Sequence, residues 1–270
     1  MDATALRRLA GRRGVALGIL EKDQAITVAL GFLAGLPAVR SLAFKGGTAM
    51  SKIYFPGYRF SEDLDFTASA DVSTRIVRAE PQLLAEGMRT GVRFLAIERI
   101  PGGRAGRSLR IRYADFNGHP NRIRVKLSLR ETVRLPVERR PLLDPYKVLA
   151  GRPLLPTMDI REIAAEKLRA LCMRSQPRDL YDLAFLLDHG VRLDPVVIEA
   201  KLSWWKPGMR LEDIGIAERL ARLEGLWERD LGALVGRTPS FAKAEASVRV
   251  ALERAARKAR RAGRSGSERA

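Results

Sequence analysis

The chain is poor in the residues that build most metal centres and disulfide scaffolds. Its 270 residues hold one cysteine, Cys172, and two histidines, His119 and His189. No disulfide can form within it, and these three fall short of a thiolate and imidazole zinc set. Such thiol usage suits a reducing cytoplasm. Long hydrophobic runs are missing too. The longest, residues 26–39, is interrupted by Gly31, Gly35 and Pro37 and is shorter than the ~20 residues that span a bilayer. The opening MDATALRRLAGRRG has no apolar h-region, so no membrane partner is expected. Negative charge is the third scarcity, with 31 Asp and Glu against 49 Lys and Arg, a formal net charge of +18. A field of that sign attracts polyanions and favours nucleic acid as a partner; arginine usage inflated by a GC-rich genome is the competing explanation. Hydrophobic residues make up 46%, enough for one large domain or two small ones.

What the chain does have is concentrated in residues 44–66, FKGGTAMSKIYFPGYRFSEDLDF. Side chains two apart on a strand share a face, so Ser61, Asp63 and Asp65 are expected together, opposite Phe60, Leu64 and Phe66. Two adjacent carboxylates repel, and a divalent cation such as Mg²⁺ is the usual relief. Upstream, a short apolar run, Gly46-Gly47 and a helix start predict a strand, a glycine turn and an anion cradle. Thr48 and Lys52, one turn apart, are expected to face the same ligand.

Residues 3–36 carry a helical pattern that predicts a cap over a sheet, and residues 72–88 predict one helix. Strands are expected at 92–97, 109–113 and 123–129, the first two joined by GGRAG and the second pair by DFNGHPN. Their alternation puts Arg110, Arg112, Arg122, Arg124 and Lys126 on one basic face, suited to a nucleic-acid backbone or simply to water. Residues 136–156, rich in Pro, Gly and Arg, read as a connection. Asp159 with Glu162 then predicts a capping box and a helix to about residue 173, with Lys167 on its apolar stripe. An inward lysine needs an anion or a route to water. In the next helix, 178–188, Asp179 borders the apolar side and Asp182 points more nearly away. Residues 194–205 form another helix ending in Trp204-Trp205, placed to stack on unpaired bases or to pack in a core. Residues 211–235 and 239–262 predict further helix.

GGTAMSKIYF followed by RFSEDLDF resembles the first two motifs of the AbiEii/AbiGii (MenT-like) toxin family. REIAAEKLRAL at 161–171 and RDLYDLAFLL at 178–187 resemble its third and fourth. The resemblance implies an α/β (α+β) polymerase-beta-like nucleotidyltransferase fold, a mixed sheet with a helical C-terminal half. The expected layout is a nucleotidyltransferase domain with its helical cap at 1–143, a helical domain completing the nucleotide site at 157–262, and a basic flexible tail at 263–270. It further implies a Mg²⁺-dependent (or Mn²⁺-dependent) enzyme moving a nucleoside monophosphate from an NTP to the 3′ end of tRNA, with a separately encoded antitoxin. On these motifs Asp63 and Asp65 would be catalytic and hold the metal, with Lys167 and Asp179 also catalytic. Gly46, Gly47, Thr48, Lys52, Arg59, Ser61 and Asp182 would bind the nucleotide.

One feature departs from the pattern. Many polymerase-beta-like transferases carry a third carboxylate on a later strand, and RVKLSLRE offers only Arg124, Lys126 and Ser128 on its polar face, with Glu131 the nearest substitute. One metal with a lysine completing the charge balance is the alternative. Two other functions stand beside the transferase: a non-catalytic RNA-binding protein of the same fold, and a nucleotidyl- or phosphotransferase acting on a small molecule, which the basic balance disfavours.

Overall fold

The chain divides into two units, Met1–Met158 and Asp159–Ala270, against the expected boundaries at 143 and 157. A computed structural model describes residues 1–101, 106–232, 234–235 and 238–267, with side chains as far as residue 261.

In the first unit the organising strand is β1, Leu42–Lys45, whose four residues are all buried. It pairs antiparallel with β2, Asp63–Ala68, in the register Phe44↔Phe66 and Lys45↔Asp65. On its other edge β1 runs parallel to β7, Leu154–Thr157. β2 runs parallel to β5, Pro120–Ser128, with Asp63↔Arg124 and Asp65↔Lys126 opposed. β4, Gly106–Ala114, and β3, Arg93–Ile100, extend the sheet beyond β5, and β6, Glu138–Pro141, closes the other end. The seven-stranded mixed order is β3-β4-β5-β2-β1-β7-β6. One face packs Phe44, Phe66, Leu64, Val125 and Leu127, all essentially inaccessible, with the Phe44 and Phe66 rings 5.0 Å apart. The opposite face is polar along β1, β2 and β5 because strand side chains alternate.

Two helices, α1 (Ala3–Arg13) and α2 (Leu17–Gly35), precede the sheet. The run 26–39 that is too short for a membrane is the second half of α2, buried from Ala25 to Leu30, together with the start of the 3₁₀ turn Pro37–Ser41. Among the described residues no helix is long and apolar enough to cross a membrane.

Two expectations change in this unit. The single helix expected at 72–88 is two, α4 (Ser73–Arg78) and α5 (Glu80–Thr90), separated at Ala79. Pro81 explains the break: it lacks an N–H, clashes with a preceding turn, and fits only the start of a helix. Residues 136–156, read as a connection, contain β6 and the start of β7. Both are four residues long with a proline inside, Pro141 and Pro156, and so short a run shows no alternation. Residues 102–105 of the expected GGRAG link lie outside the described residues.

The second unit is helical. α6 (Ile160–Arg174), α7 (Pro177–Asp188), α8 (Pro195–Trp205) and α11 (Phe241–Ser267) carry its core, with Leu168, Leu180, Leu183, Ile198, Leu202 and Val248 fully buried. Asp159 caps α6 through the N–H of Arg161 at 2.8 Å. The helical stretch expected at 211–235 is broken into two 3₁₀ turns with α9 (Ile216–Ala221) and α10 (Trp227–Leu231). Gly215, Gly225 and Gly232 fall at or near its breaks, where glycine's backbone freedom disfavours helix. α11 keeps helical backbone to Ser267, past residue 262, and residues 268–270 of the expected tail lie outside the described residues.

Candidate active site

The strand β1 ends at Lys45, and the chain turns at once into α3, Gly46–Ala49, which continues as a turn of π-helix at Met50–Tyr54. Gly46 has φ +79°, and a Cβ there would lie 3.0 Å from Asp65 Oδ2. A Cβ on Gly47 would lie 3.0 Å from Arg59 Nη2 and 3.1 Å from Ser61 Oγ. Gly46 is favoured by its backbone angle, and at both positions a side chain would press on the polar groups beside it. Arg59 is 7% exposed; its guanidinium donates to Phe60 O at 3.0 Å and lies over the Tyr58 ring. The glycine turn is thus backed by an arginine and a serine.

Asp63 and Asp65 begin β2, and both side chains are about one-third exposed. Ser61 precedes the strand instead of belonging to it, and its hydroxyl lies 2.9 Å from Thr48 Oγ1. Thr48, 1% exposed, donates its one hydroxyl proton to the carbonyl of Asp63. Its hydroxyl ties α3 to the start of β2.

Lys126, opposite Asp65 on β5, reaches across both acids, 2.5 Å from Asp63 Oδ2 and 3.8 Å from Asp65 Oδ1. Lys45, opposite Asp65 on the other side, pairs with the buried Glu131. One row of the sheet therefore reads Lys45, Asp65, Lys126. Glu131 does not complete a metal set: among the described residues no three acids, histidines or cysteines are grouped to hold an ion.

Lys52 is not brought to the cradle. It is 2% exposed, 2.6 Å from Asp23 Oδ2 on α2 and 2.9 Å from Thr27 Oγ1, with the Tyr146 ring beside it. Tyr146 donates to the same Asp23 oxygen at 2.6 Å. Burial pushes the Lys52 ammonium below the usual lysine range, with Asp23 opposing. The anion this lysine needed is an internal acid, which spacing from Thr48 alone did not reveal.

In the second unit, Lys167 is 2.6 Å from Asp182 Oδ2 and 3.9 Å from Asp179 Oδ1. Asp179 is fully buried and accepts two hydrogen bonds from Arg174, at 2.7 and 2.8 Å. Asp182, expected to point away, is equally buried, because Lys167 draws it inward. The helix stripe located Lys167; Arg174, at the end of α6, carried no signal beyond its charge.

The basic sheet face is partly self-neutralised. Glu98 of β3 pairs with Arg110 at 3.4 Å and Arg112 at 3.0 Å. Trp204 is half-exposed, with the Arg169 guanidinium 4.7 Å from its ring centre.

Comparison with known proteins gives a family and a fold. No curated protein matches the chain. Among solved structures, MenT4, the nucleotidyltransferase toxin Rv2826c from Mycobacterium tuberculosis H37Rv, is 26% identical with a TM-score of 0.64, covering 91% of this chain and 88% of that one. JHP933 from Helicobacter pylori, 20% identical, matches with a TM-score of 0.54 over 94% and 98% of the two chains. A putative nucleotidyltransferase from H. pylori, also 20% identical, matches at 0.51 over 90% and 97%. The last two share the fold. The family model of the nucleotidyl transferase AbiEii toxin, type IV toxin–antitoxin system, matches residues 32–254. The chain therefore belongs to the AbiEii family of nucleotidyltransferase toxins.

Proposed function

We propose that this toxin transfers a nucleoside monophosphate from an NTP to the 3′ end of tRNA in the cytoplasm, so blocking translation until a separately encoded antitoxin intervenes. The observation that carries the reading is the Asp63 and Asp65 pair, each about one-third exposed, set against the Gly46-Gly47 turn. The carboxylates fit Mg²⁺ or Mn²⁺, since two hard oxygen ligands stand side by side with room for water and phosphate oxygens. Such an ion would offset charge on the triphosphate in the transition state. Lys126 supplies positive charge where a third carboxylate would otherwise call for a second ion, which favours a single-metal site.

The remaining roles fall to the chain's own groups. Arg59, held rigidly beside Gly47, presents a fixed positive charge for phosphate and for the departing pyrophosphate. Backbone N–H groups at Gly46 and Gly47 give close approach to phosphate oxygens. Ser61, oriented by Thr48, aligns a phosphate or bound water. Lys167, aimed by Asp182, Asp179 and Arg174, is proposed as a further functional cation, since it falls on the third motif.

The test is incubation of purified protein with total tRNA and each labelled NTP in turn, with and without Mg²⁺, beside Asp63→Asn and Lys167→Ala. Label on tRNA from the wild type alone, lost without metal, is the expected result. Absence of label with every NTP would overturn the transferase reading. A second reading, a non-catalytic RNA binder, draws on Lys126 already bridging both acids; metal-dependent NTP binding separates the two, because a pure RNA binder needs none.

A further inference from the structure

A cavity of about 200 Å³ opens between the first half of α2, the end of β4 and the turn before β3. None of its lining residues belongs to the carboxylate pair or the cradle. Gln24 and Tyr113, on side chains 1% and 2% exposed, line it, and their Oε1 and hydroxyl have no hydrogen-bond partner. Buried polar atoms are almost always partnered, so two at one cavity call for an explanation.

The chemistry of the lining leans towards acceptors. Gln24 Nε2 donates to Met1 O at 3.1 Å, which leaves its Oε1 as an acceptor. Glu21 and Asp115 add carboxylates, which only accept when ionised. Glu21 spends one oxygen on the N–H of Phe116 at 3.0 Å. Asp115 holds the N–H groups of Asn117 and His119 and faces the His119 ring at 3.3 Å. Burial raises the Tyr113 phenol above its ordinary range, and Glu21, Glu62 and Asp115 add to that, so three acids bear on one hydroxyl. The counterweight is Arg93, which also lines the cavity. Phe116, 37% exposed, offers a ring for a cation. On a chain of net charge +18, a patch of acceptors and acids is not a product of the overall field.

We infer that this cavity binds an alkylguanidinium or alkylammonium group, whose donors meet Gln24 Oε1, the Tyr113 oxygen and the Glu21 and Asp115 carboxylates. At ~30 Å³ per water the volume equals roughly six or seven waters, the size of a guanidinium on a short alkyl stem. The group has two sources, a free small amine or the side chain of an arginine or lysine on a protein partner. The inference stands apart from the transferase reading, and its test does not use catalysis.

The experiment is a titration of the full chain, followed by calorimetry and by ¹H–¹⁵N NMR, with methylguanidinium, agmatine and N-acetylarginine methylamide. Urea serves as the neutral, equally planar control. Saturable binding of the cations with none of urea is expected, weakened at least tenfold in Glu21→Gln and at least threefold in Tyr113→Phe. Tyr113→Phe keeps the buried ring and so keeps the fold, which an unchanged NMR spectrum verifies. Equal binding of the blocked arginine and methylguanidinium points to a side chain from a partner. Binding of agmatine with exclusion of the blocked arginine points to a free amine. Either supports the inference. It is overturned by failure of all three cations to bind, by urea binding as tightly, or by unchanged affinity in both variants.

Discussion

Two clusters of lysine and aspartate, one in each unit, use the same residue types to opposite ends. On the sheet, Lys126 faces Asp63 and Asp65 from a side chain 41% exposed, with the two acids at 37% and 34%. Among the helices, Lys167 faces Asp182 and Asp179 with both acids at 0%, and Arg174 completes the set. An exposed pair gives little stability because water competes for each charge. It can also release a partner cheaply and take a ligand in exchange. A buried set cannot exchange without leaving an uncompensated charge. On the proposed function, the difference separates groups placed to meet a substrate from groups placed to hold one lysine still.

The largest effect should come from Asp63→Asn, with transfer falling about 10²–10³-fold or more and urea unfolding hardly changed; retained transfer would remove Asp63 from the metal site. Next is Lys201→Ala. This lysine is 2% exposed and lies 2.7 Å from Glu162 and 3.0 Å from Glu166, so its loss strands buried acid and should cost about 3–5 kcal/mol in denaturant unfolding. A cost near zero would show that the helical unit relaxes as easily as the sheet. Gly47→Ala should raise the KM for NTP about tenfold, roughly 1.4 kcal/mol of binding, since its Cβ meets Arg59 and Ser61; an unchanged KM would detach that turn from the nucleotide. Lys126→Ala should alter stability by no more than about 1 kcal/mol while lowering the Mg²⁺ concentration for half-maximal NTP binding, because a competing cation is gone.

The smallest effect concerns Cys172, on the same helix as Lys167. Burial pushes its thiol up to about 11, so the reactive thiolate is scarce at pH 8. Iodoacetamide should label it slowly in the folded chain and quickly in urea. Fast labelling of folded protein would mean that α6 opens readily, and the contrast between the clusters would then shrink.

Much of this was legible in the sequence wherever a local rule was sufficient. Alternation placed Leu64 and Phe66 in the core and Asp63 and Asp65 on the polar face, and helical periodicity put Lys167 inward. The failures have physical causes. Lys52 has the right spacing from Thr48, yet its partner Asp23 is 29 residues earlier, and no local pattern announces a long-range buried pair. Asp182 looked outward because the wheel counts apolar neighbours and not a lysine on the facing helix. Lys126 was visible as the residue where an acid was expected, but only the register Asp65↔Lys126 turns that departure into contact with both carboxylates. Lys45, immediately before the glycine pair, passed unnoticed because it ends a strand read only for its apolar residues.

The last strand of the sheet has a practical consequence for anyone dissecting this protein. Met158, the final residue of the first unit, donates its N–H to Phe44 O at 3.0 Å and accepts from the Tyr54 hydroxyl at 2.7 Å, just after β7 has run alongside β1. A fragment cut at residue 143, inside the stretch that composition reads as a connection, discards β7 and unzips one whole side of β1. The bare edge would then recruit strands from other molecules, so the severed piece would precipitate for a reason unrelated to its chemistry. Scissors belong after Met158.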